Sequence, residues 1–407
     1  MPEEFSTSLG ELTKQGILQL GDGYRTKRSE LGLTGVPILR VAEVLDGRID
    51  PTFTDYIREE FRPAFNKKAS APGDILVTTK GTVGRIARVR KSDPQFVYSP
   101  QLCFFRVLDE SLIDPRWLYQ WFRSTEFMTQ AAKVQHQTDM APYINLADLR
   151  AMRISIPSMH QQRGISEALE AFDEKIINNE RMASLSSELS ALHFSEALAQ
   201  GPHEMCRVED VAEVFDGPHA TPQKTLDGPW FLSISSLRSG RMDLNKSAHL
   251  SEEDFAKWTR RVRPVAGDLL FSYETRLGEA ALMPDGIRAC LGRRMGLLRP
   301  KRDSIAPVVL LHTYLGAEFQ ELIHRRKISG ATVERISLKE LPNWPIKVPV
   351  RNGTRRLAEL LGTLHTQVVA AESESRRLAL LRDALASKLM SGQIIVREAD
   401  KVMEGAL

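Results

Sequence analysis

The sequence predicts an α+β chain built from two duplicated α/β units and two long helices, the helices forming an antiparallel coiled coil that relates the copies by pseudo-twofold symmetry. Three observations carry that prediction. The first half of the chain recurs in the second with the order of its phrases kept. Within each copy, short apolar runs alternate between Gly and Pro punctuation, as strands do. Each copy then ends in a segment whose apolar residues step by three and four, the period of a helix.

The repeat can be followed residue by residue. Gly35 to Asp50 (GVPILRVAEVLDGRID) lines up with Gly228 to Asp243 (GPWFLSISSLRSGRMD) at an offset of 193. Gly73-Asp74-Ile75-Leu76 recurs as Gly267-Asp268-Leu269-Leu270, with Gly84 and Ala87 answered by Gly278 and Ala281, at 194. Gln101 to Arg106 (QLCFFR) meets Arg294 to Arg299 (RMGLLR) at 193, and Ile154, Ile156 and Pro157 meet Ile346, Val348 and Pro349 at 192. An offset that drifts one residue at a time marks a duplication with small loop insertions, because chance matches lose register.

In each unit a strand-rich part comes first. Ile38, Val41 and Val44, then Ile75 and Val77, supply the alternation, and paired strands follow near Phe96 to Val107. One helix is predicted from Asp114 to Ala131, with Trp117, Trp121, Phe122 and Phe127 on its apolar face, and a last strand, Arg153 to Ile156, closes at Pro157. From His160 to about Leu198 there is no Pro, and Ile165, Leu169, Phe172 and Ile176, then Leu185, Leu189 and Leu192, form one stripe. The second copy carries Leu357, Leu361, Leu364 and Val368, then Leu378, Leu381, Leu385 and Leu389. This is coiled-coil-like spacing. A helix of ~37 residues is roughly 55 Å long at 1.5 Å per residue and needs a partner. The predicted segments are therefore 1–157, 158–200, 201–349 and 350–407.

Composition narrows the function. With 55 Lys+Arg against 52 Asp+Glu in 407 residues, a net charge of +3 excludes a histone-like or acidic-tail protein, so any nucleic-acid surface is local. No apolar run approaches the ~18 residues of a membrane span, and Glu3 and Glu4 stand where a basic leader would be, so a cytoplasmic protein without a membrane partner is expected. Cys103, Cys206 and Cys290 lack C-x-x-C spacing and read as buried free thiols. H-E-x-x-H, G-x-S-x-G and G-x-x-x-x-G-K-[ST] are absent, Gly21-Asp22-Gly23 lacks the third glycine of a dinucleotide loop, and no two histidines are spaced i, i+4. No catalytic residue, metal ligand or bound cofactor is expected. Asp74 and Asp268 form a tempting carboxylate pair, but each sits in a Gly-Asp turn where Asp bonds local backbone amides, and the structural reading is preferred.

What remains is local positive charge. Lys80 to Lys91 (KGTVGRIARVRK) holds five basic residues and no acid, a candidate phosphate surface. Its counterpart begins Ser272-Tyr273-Glu274-Thr275-Arg276, with further basic clusters at Arg260, Arg261 and Arg263, at Arg293 and Arg294, and at His324 to Lys327. Solvated surface charge would look the same. The polar stretches Gln135 to Thr138 and Ser329 to Thr332 carry side chains able to bond base edges. Residues after the Asp-Gly turns could join that face. The candidate DNA contacts are Arg25, Lys27, Thr79, Lys80, Arg85 and Gln137 in the first copy, and His219, Thr221, Lys224, Tyr273, Arg276, Arg293 and Thr332 in the second.

The arrangement resembles the DNA-specificity subunits of type I restriction-modification enzymes over nearly the whole chain. The residues that carry the likeness are Asp22-Gly23 and Asp216-Gly217, Gly73 to Leu76 and Gly267 to Leu270 with Gly84 and Gly278, and Ile156-Pro157 and Val348-Pro349. Their order, repeated twice, is the specific signal. The resemblance implies two target-recognition domains, each reading half of a bipartite site in double-stranded DNA, and helices that set the spacer and dock two modification subunits. It also implies that those partners bring S-adenosylmethionine and the methyl transfer, that restriction subunits join for cleavage, and that this chain is not itself an enzyme. The stripes Ile165, Leu169, Phe172, Ile176 and Leu357, Leu361, Leu364, Val368 are assigned to docking. One departure is that Met1 to Leu9 adds no helical extension before the first recognition domain. A non-catalytic adaptor or inhibitor in a defence system, whose coiled coil binds protein and which no longer reads DNA, and a nuclease with an unrecognised site, are the rival readings.

Overall fold

The computed structural model describes residues 4–45, 47–135, 142–219, 221–329 and 333–394. Gln137 and Thr332 lie outside them. The chain divides into two compact units, Met1–Lys175 with Arg377–Leu407, and Ile176–Arg376. Each holds one globular part and a portion of both long helices.

In the first unit, β1 (Glu4–Ser8) pairs antiparallel with β6 (Arg153–Pro157). The central antiparallel sheet runs β2 (Leu18–Asp22), β5 (Leu102–Val107), β3 (Ile75–Thr78), β4 (Ile86–Arg88). Every residue of β3 is buried, because both sheet faces are covered. On one face Leu76 and Phe104 pack with Leu39, Phe96 and Tyr98. On the other, Phe105 meets Phe122 at 4.3 Å, inside an aromatic group with Trp121 and Phe127. Each such ring contributes about 1.5–3 kcal/mol by leaving water.

The helix predicted across Asp114 to Ala131 is two helices, α1 (Pro115–Arg123) and α2 (Thr125–Val134). Ser124 breaks it: its backbone is extended, and its hydroxyl accepts the Phe127 N–H at 3.3 Å as an N-cap. Apolar spacing runs through the break because both helices face the same aromatic core. The long helix α3 (Met159–Gln200) then follows Pro157.

The second unit repeats these parts. β7 (His203–Arg207) pairs with β12 (Pro345–Pro349), and the sheet order is β8 (Ala212–Asp216), β11 (Met295–Pro300), β9 (Leu269–Ser272), β10 (Ala280–Leu282). The registers match as well: Asp22 lies opposite Cys103 and Asp216 opposite Gly296. A surface helix, α4 (Glu252–Trp258), stands beside a separate three-stranded sheet that contains Thr225–Phe231 and Ala289–Cys290. Helices α5 (Pro307–Leu315) and α6 (Ala317–Arg326) are broken at Gly316, and α7 (Arg351–Met390) is the second long helix.

The two long helices meet within each unit, antiparallel in the second. In the second, Ala183 packs on Val368 and Ala371, and Phe194 on Leu361, so rising numbers meet falling ones. Asn179 Nδ2 donates to Glu374 Oε2 at 2.7 Å, a polar layer of the kind that fixes helix register. In the first, Arg382 Nη1 donates to Asp173 Oδ1 at 2.6 Å. This pairing corrects the docking assignment. Ile165, Leu169, Phe172, Leu361, Leu364 and Val368 are buried within the chain itself, with Ile176 and Leu357 half-buried. A stripe found by periodicity is the face that folding buries first, and it is not available to another subunit. The exposed apolar stripe on α3 is a different one, Met182, Leu185, Leu189 and Leu192.

Candidate nucleic-acid interface

The sheet registers bring three loops to one end of each sheet. In the first unit these are the segment after Asp22, the hairpin tip between Thr78 and Arg85, and the segment around Tyr143. Gly23 N–H donates to Leu102 O at 3.2 Å, Ile144 N–H to Thr79 O at 3.0 Å, and Lys80 bridges Tyr143. The second unit repeats the contacts: Gly217 N–H to Met295 O at 3.0 Å, Ile336 N–H to Tyr273 O at 2.8 Å, and a Glu274–Arg335 bridge. The glycine of each Asp-Gly phrase is required by close approach, since a Cβ on Gly23 would stand 2.0 Å from Ser99 O and one on Gly217 2.5 Å from Met295 O.

This convergence sorts the predicted contacts. Arg25, Lys27 and Lys80 are exposed on the first unit's loops, and Thr221, Lys224 and Arg293 on the second's. His219 is 67% exposed, with Nε2 2.9 Å from Asp216 Oδ2. Others are corrected. Thr79 is buried and its hydroxyl donates to Gln101 O at 3.0 Å, so it ties the end of β3 to the start of β5. Tyr273 is buried at the matching place, its hydroxyl held protonated by burial and then by the Asp216 carboxylate. Arg85 reaches back to Val44 O at 3.1 Å, and Arg276 is spent on Glu279 at 3.1 Å and Ile234 O at 3.3 Å.

The basic run Lys80 to Lys91 is divided in the same way. Arg88 pairs with Glu170 on α3 at 2.6 Å and lies over the Tyr119 ring, facing the long helix. In the cluster His324 to Lys327, Lys327 pairs with Glu334 at 2.8 Å and Arg326 lies over Trp344. Strand alternation and ion pairing consume these charges for the fold.

Sequence reasoning left one site unassembled. A cleft of about 430 Å³ in the second unit is lined by Asp216, His219, Lys257, Trp258, Arg260 and Arg261. It joins the Asp-Gly turn to the end of α4, and Lys257, Arg260 and Arg261 are exposed on it. The run Lys257-Trp258-Thr259-Arg260-Arg261, a ring among cations, was the signal that could have found it. A larger cavity, about 740 Å³, has α3, α5 and α7 in its wall and holds His312 and His365. Burial pushes the His312 imidazole down to about 4, and lowers His365 too.

The carboxylates Asp74 and Asp268 are structural latches, as expected from their turns. Asp74 takes Arg106 Nε and Nη2 at 2.6 Å each, the Tyr98 hydroxyl, and the Ala71 N–H at 2.9 Å. Asp268 takes Arg299 at 2.8 and 2.7 Å and the Val265 N–H at 2.8 Å. All three thiols are free; Cys103 and Cys290 are buried and pushed up to about 11 and about 12, whereas Cys206, on the outer strand β7, is half-buried. Among the described residues no helix is long and apolar enough to cross a membrane, and no group of three or more His, Cys, Asp or Glu is gathered as a metal site requires.

Comparison with known proteins agrees with this architecture. The family described as type I restriction modification DNA specificity domain matches residues 15–186. A putative type I restriction enzyme MjaX specificity subunit from Methanocaldococcus jannaschii is 17% identical over 96% of both chains. The type I restriction enzyme EcoBI specificity subunit of Escherichia coli is 27% identical over 40% of this chain, which covers 34% of that protein. The crystal structure of a type I restriction-modification S subunit from M. genitalium shares the fold, with a TM-score of 0.57 and 14% identity over 95% of this chain and 96% of that one. A domain match through the first unit, a relative aligned from end to end and a shared fold agree: residues 15–186 match the type I restriction modification DNA specificity domain, and the chain along its whole length is similar to type I specificity subunits.

Proposed function

We propose that each globular part, residues 1–157 and 201–349, reads one half of a bipartite site in double-stranded DNA, and that the helical segments 158–200 and 350–407 set the distance between the halves. The observation that carries this reading is the repeated loop cluster: two sheets of the same order and register, each presenting exposed basic side chains at the same end. Arg25, Lys27 and Lys80, and Lys224, Arg260 and Arg293, neutralise phosphates and supply salt-dependent affinity, while polar side chains discriminate bases. The chain acts without catalysis of its own. The two carboxylates that could have suggested a catalytic pair are each consumed by an arginine.

Modification subunits, carrying S-adenosylmethionine, dock on the helices through Met182, Leu185, Leu189 and Leu192, an exposed row stepping by three and four. Restriction subunits complete the assembly. A coiled-coil adaptor that ignores DNA is not favoured, because it would leave the exposed basic loops without a role.

The test is a map of methylated bases in the source cell with and without the gene. A bipartite motif that vanishes on deletion is the expected result; an unchanged map refutes the reading. Helix length gives a second test. The segment Ser184 to Ser190 is committed to packing, with Ser186 on Gln367 and Ser187 and Ser190 on the histidine cavity, so lengthening is better placed after Ile177 and after Arg376. Four residues in each helix add about 6 Å. The spacer should lengthen by about two base pairs at 3.4 Å per pair while both half-sites stay unchanged; an altered half-site refutes the ruler.

A further inference from the structure

Among the described residues the two most exposed large apolar side chains are Leu33, 98% exposed, and Leu226, 100% exposed. A lone leucine on a surface is ordinary and asks for no explanation. These two stand 193 positions apart, the offset that aligns Gly35 with Gly228, so they are one position of the repeat. The loop around them has otherwise changed: Gly32 and Thr34 of the first copy are Thr225 and Asp227 in the second. The backbone beneath them is held alike. In the first copy Gly32 and Pro37 both lie opposite Tyr56, so residues 33–35 cross from one side of the strand Tyr56–Ile57 to the other. In the second, Thr225 and Trp230 likewise both lie opposite His249. Each loop closes on a glycine of positive φ, Gly35 at +137° and Gly228 at +113°, where a Cβ would stand 2.1 Å from Ile57 O and 2.4 Å from Leu250 O. Two copies that have diverged around it present the same bare leucine on the same pinned tip.

What meets a bare leucine is set by its surroundings. Its chain neighbours are polar and exposed, Ser29 and Thr34 in the first copy and Thr225 and Asp227 in the second, so neither tip belongs to an apolar patch of the kind that docks a protein. Each tip instead ends the segment that leaves the Asp-Gly turn, and that segment carries exposed cations: Arg25, Lys27 and Arg28 before Leu33, and Lys224 before Leu226. Glu30 ties the first segment to its tip. It accepts from the Tyr24 hydroxyl at 3.1 Å and the Lys27 N–H at 2.9 Å and, through its backbone carbonyl, from the Arg58 N–H at 3.0 Å. His249 steadies the second tip, its ring 4.0 Å from that of Trp230 and its Nδ1 2.7 Å from Gly228 O. A lone apolar side chain beside cations suits a minor groove, where leucine can part a base step while the cations hold the phosphates on either side. Insertion between bases removes from water the apolar surface that the fold has left in it.

We propose that Leu33 and Leu226 are wedges that insert between base pairs from the minor groove of double-stranded DNA, one at each half of the bipartite site. The proposal rests on the DNA-reading function above. Its test titrates the complex with modification subunits against duplexes carrying 2-aminopurine, a base that brightens when unstacked, at successive positions of the site that the methylation map supplies. The methylated base itself is left out, since methyltransferases flip it. With the wild-type chain one step in each half should brighten. Leu33→Ala should abolish the signal in one half and Leu226→Ala in the other, each weakening binding roughly 5- to 50-fold, the value of up to three carbons withdrawn from water. Leu33→Met and Leu226→Met, which keep an apolar wedge, should keep both signals. Denaturation midpoints should not move, because side chains 98% and 100% exposed hold nothing in the fold. No bright step with the wild-type chain, or bright steps that survive both alanine variants, overturns the wedges while leaving the bipartite reading intact. Loss of modification subunits from the complex of either alanine variant assigns the leucines to a protein contact and overturns them as well. A wild-type map without any bipartite motif removes that reading and this proposal together.

Discussion

Asp74→Asn is the sharpest test of how this scaffold is held together. The carboxylate is fully buried and grips Arg106 through two nitrogens at 2.6 Å each while also taking Tyr98 and the Ala71 N–H. Asparagine has nearly the same shape, but it turns an N–H toward one of the guanidinium donors and removes the charge. Breaking a buried pair by neutralising one partner costs about 3–5 kcal/mol. Arg106 is 26% exposed, so water recovers part of its solvation and the expected loss sits near the lower end, about 3 kcal/mol. That is a large share of the ~5–15 kcal/mol that stabilises a domain. Urea denaturation followed by tryptophan fluorescence measures it. Asp268→Asn should cost less, because Asp268 has Arg299 and the Val265 N–H but Leu291 where the first copy has Tyr98. At permissive temperature the assembled complex should still methylate its site. A loss below about 1 kcal/mol, or abolished methylation in a folded Asp74→Asn complex, refutes the structural assignment.

Four further outcomes are expected. Thr275 has φ +72°, where the first copy has Gly81 at +81°, so Thr275→Gly should stabilise the second unit by about 1 kcal/mol; a lower denaturation midpoint would contradict that strain. His312 is held neutral, with a pKa near 4 against about 6.5 unfolded, so the unfolded chain takes up the proton first as pH falls. Its contribution is complete above about pH 6.5 and declines toward pH 4 by about 3 kcal/mol. His312→Gln, the residue of the first copy at Gln120, should flatten that decline in urea titrations at pH 7.5 and 5, and an unchanged decline would count against it. Lys80→Ala should reduce the salt dependence of DNA binding by the assembled complex by about 0.9 in log-log slope. Arg88→Ala should leave the slope alone and lower stability, since it takes from Glu170 the shorter of its two ion pairs and leaves only Arg116; a shared effect on the slope would put Arg88 on the DNA face.

Much of the fold was legible because duplication and burial both write themselves into local pattern. The drifting offset located matched strands such as Ile75–Thr78 and Leu269–Ser272, and the absence of Pro marked the long helices. The break at Ser124 was hidden, because both helices face one aromatic core. The site was less legible. Arg88 and Lys80 look alike in sequence, and the difference lies in Glu170, 82 positions beyond Arg88, which supplies Arg88 with a partner. Thr79 and Tyr273 sit in exposed-looking loops yet are pinned by neighbours on another strand. The docking stripe failed for the opposite reason: its periodicity was real, and burial within the chain had already used it.

The two copies are fastened to the long helices by different chemistry. In the first unit Glu170 and Asp173 of α3 gather Arg88, Arg116, Arg123 and Arg382. At the matching positions of the second, Gly362 and His365 stand on α7 and Leu282, Val308 and Leu315 take the places of the arginines, and the large cavity opens between His365 and Leu315. A genetic exchange that moved the first cassette into the second slot would lay three guanidinium groups where Glu170 and Asp173 have no counterparts. Trading places within the chain therefore carries an electrostatic penalty. The duplication has become directional.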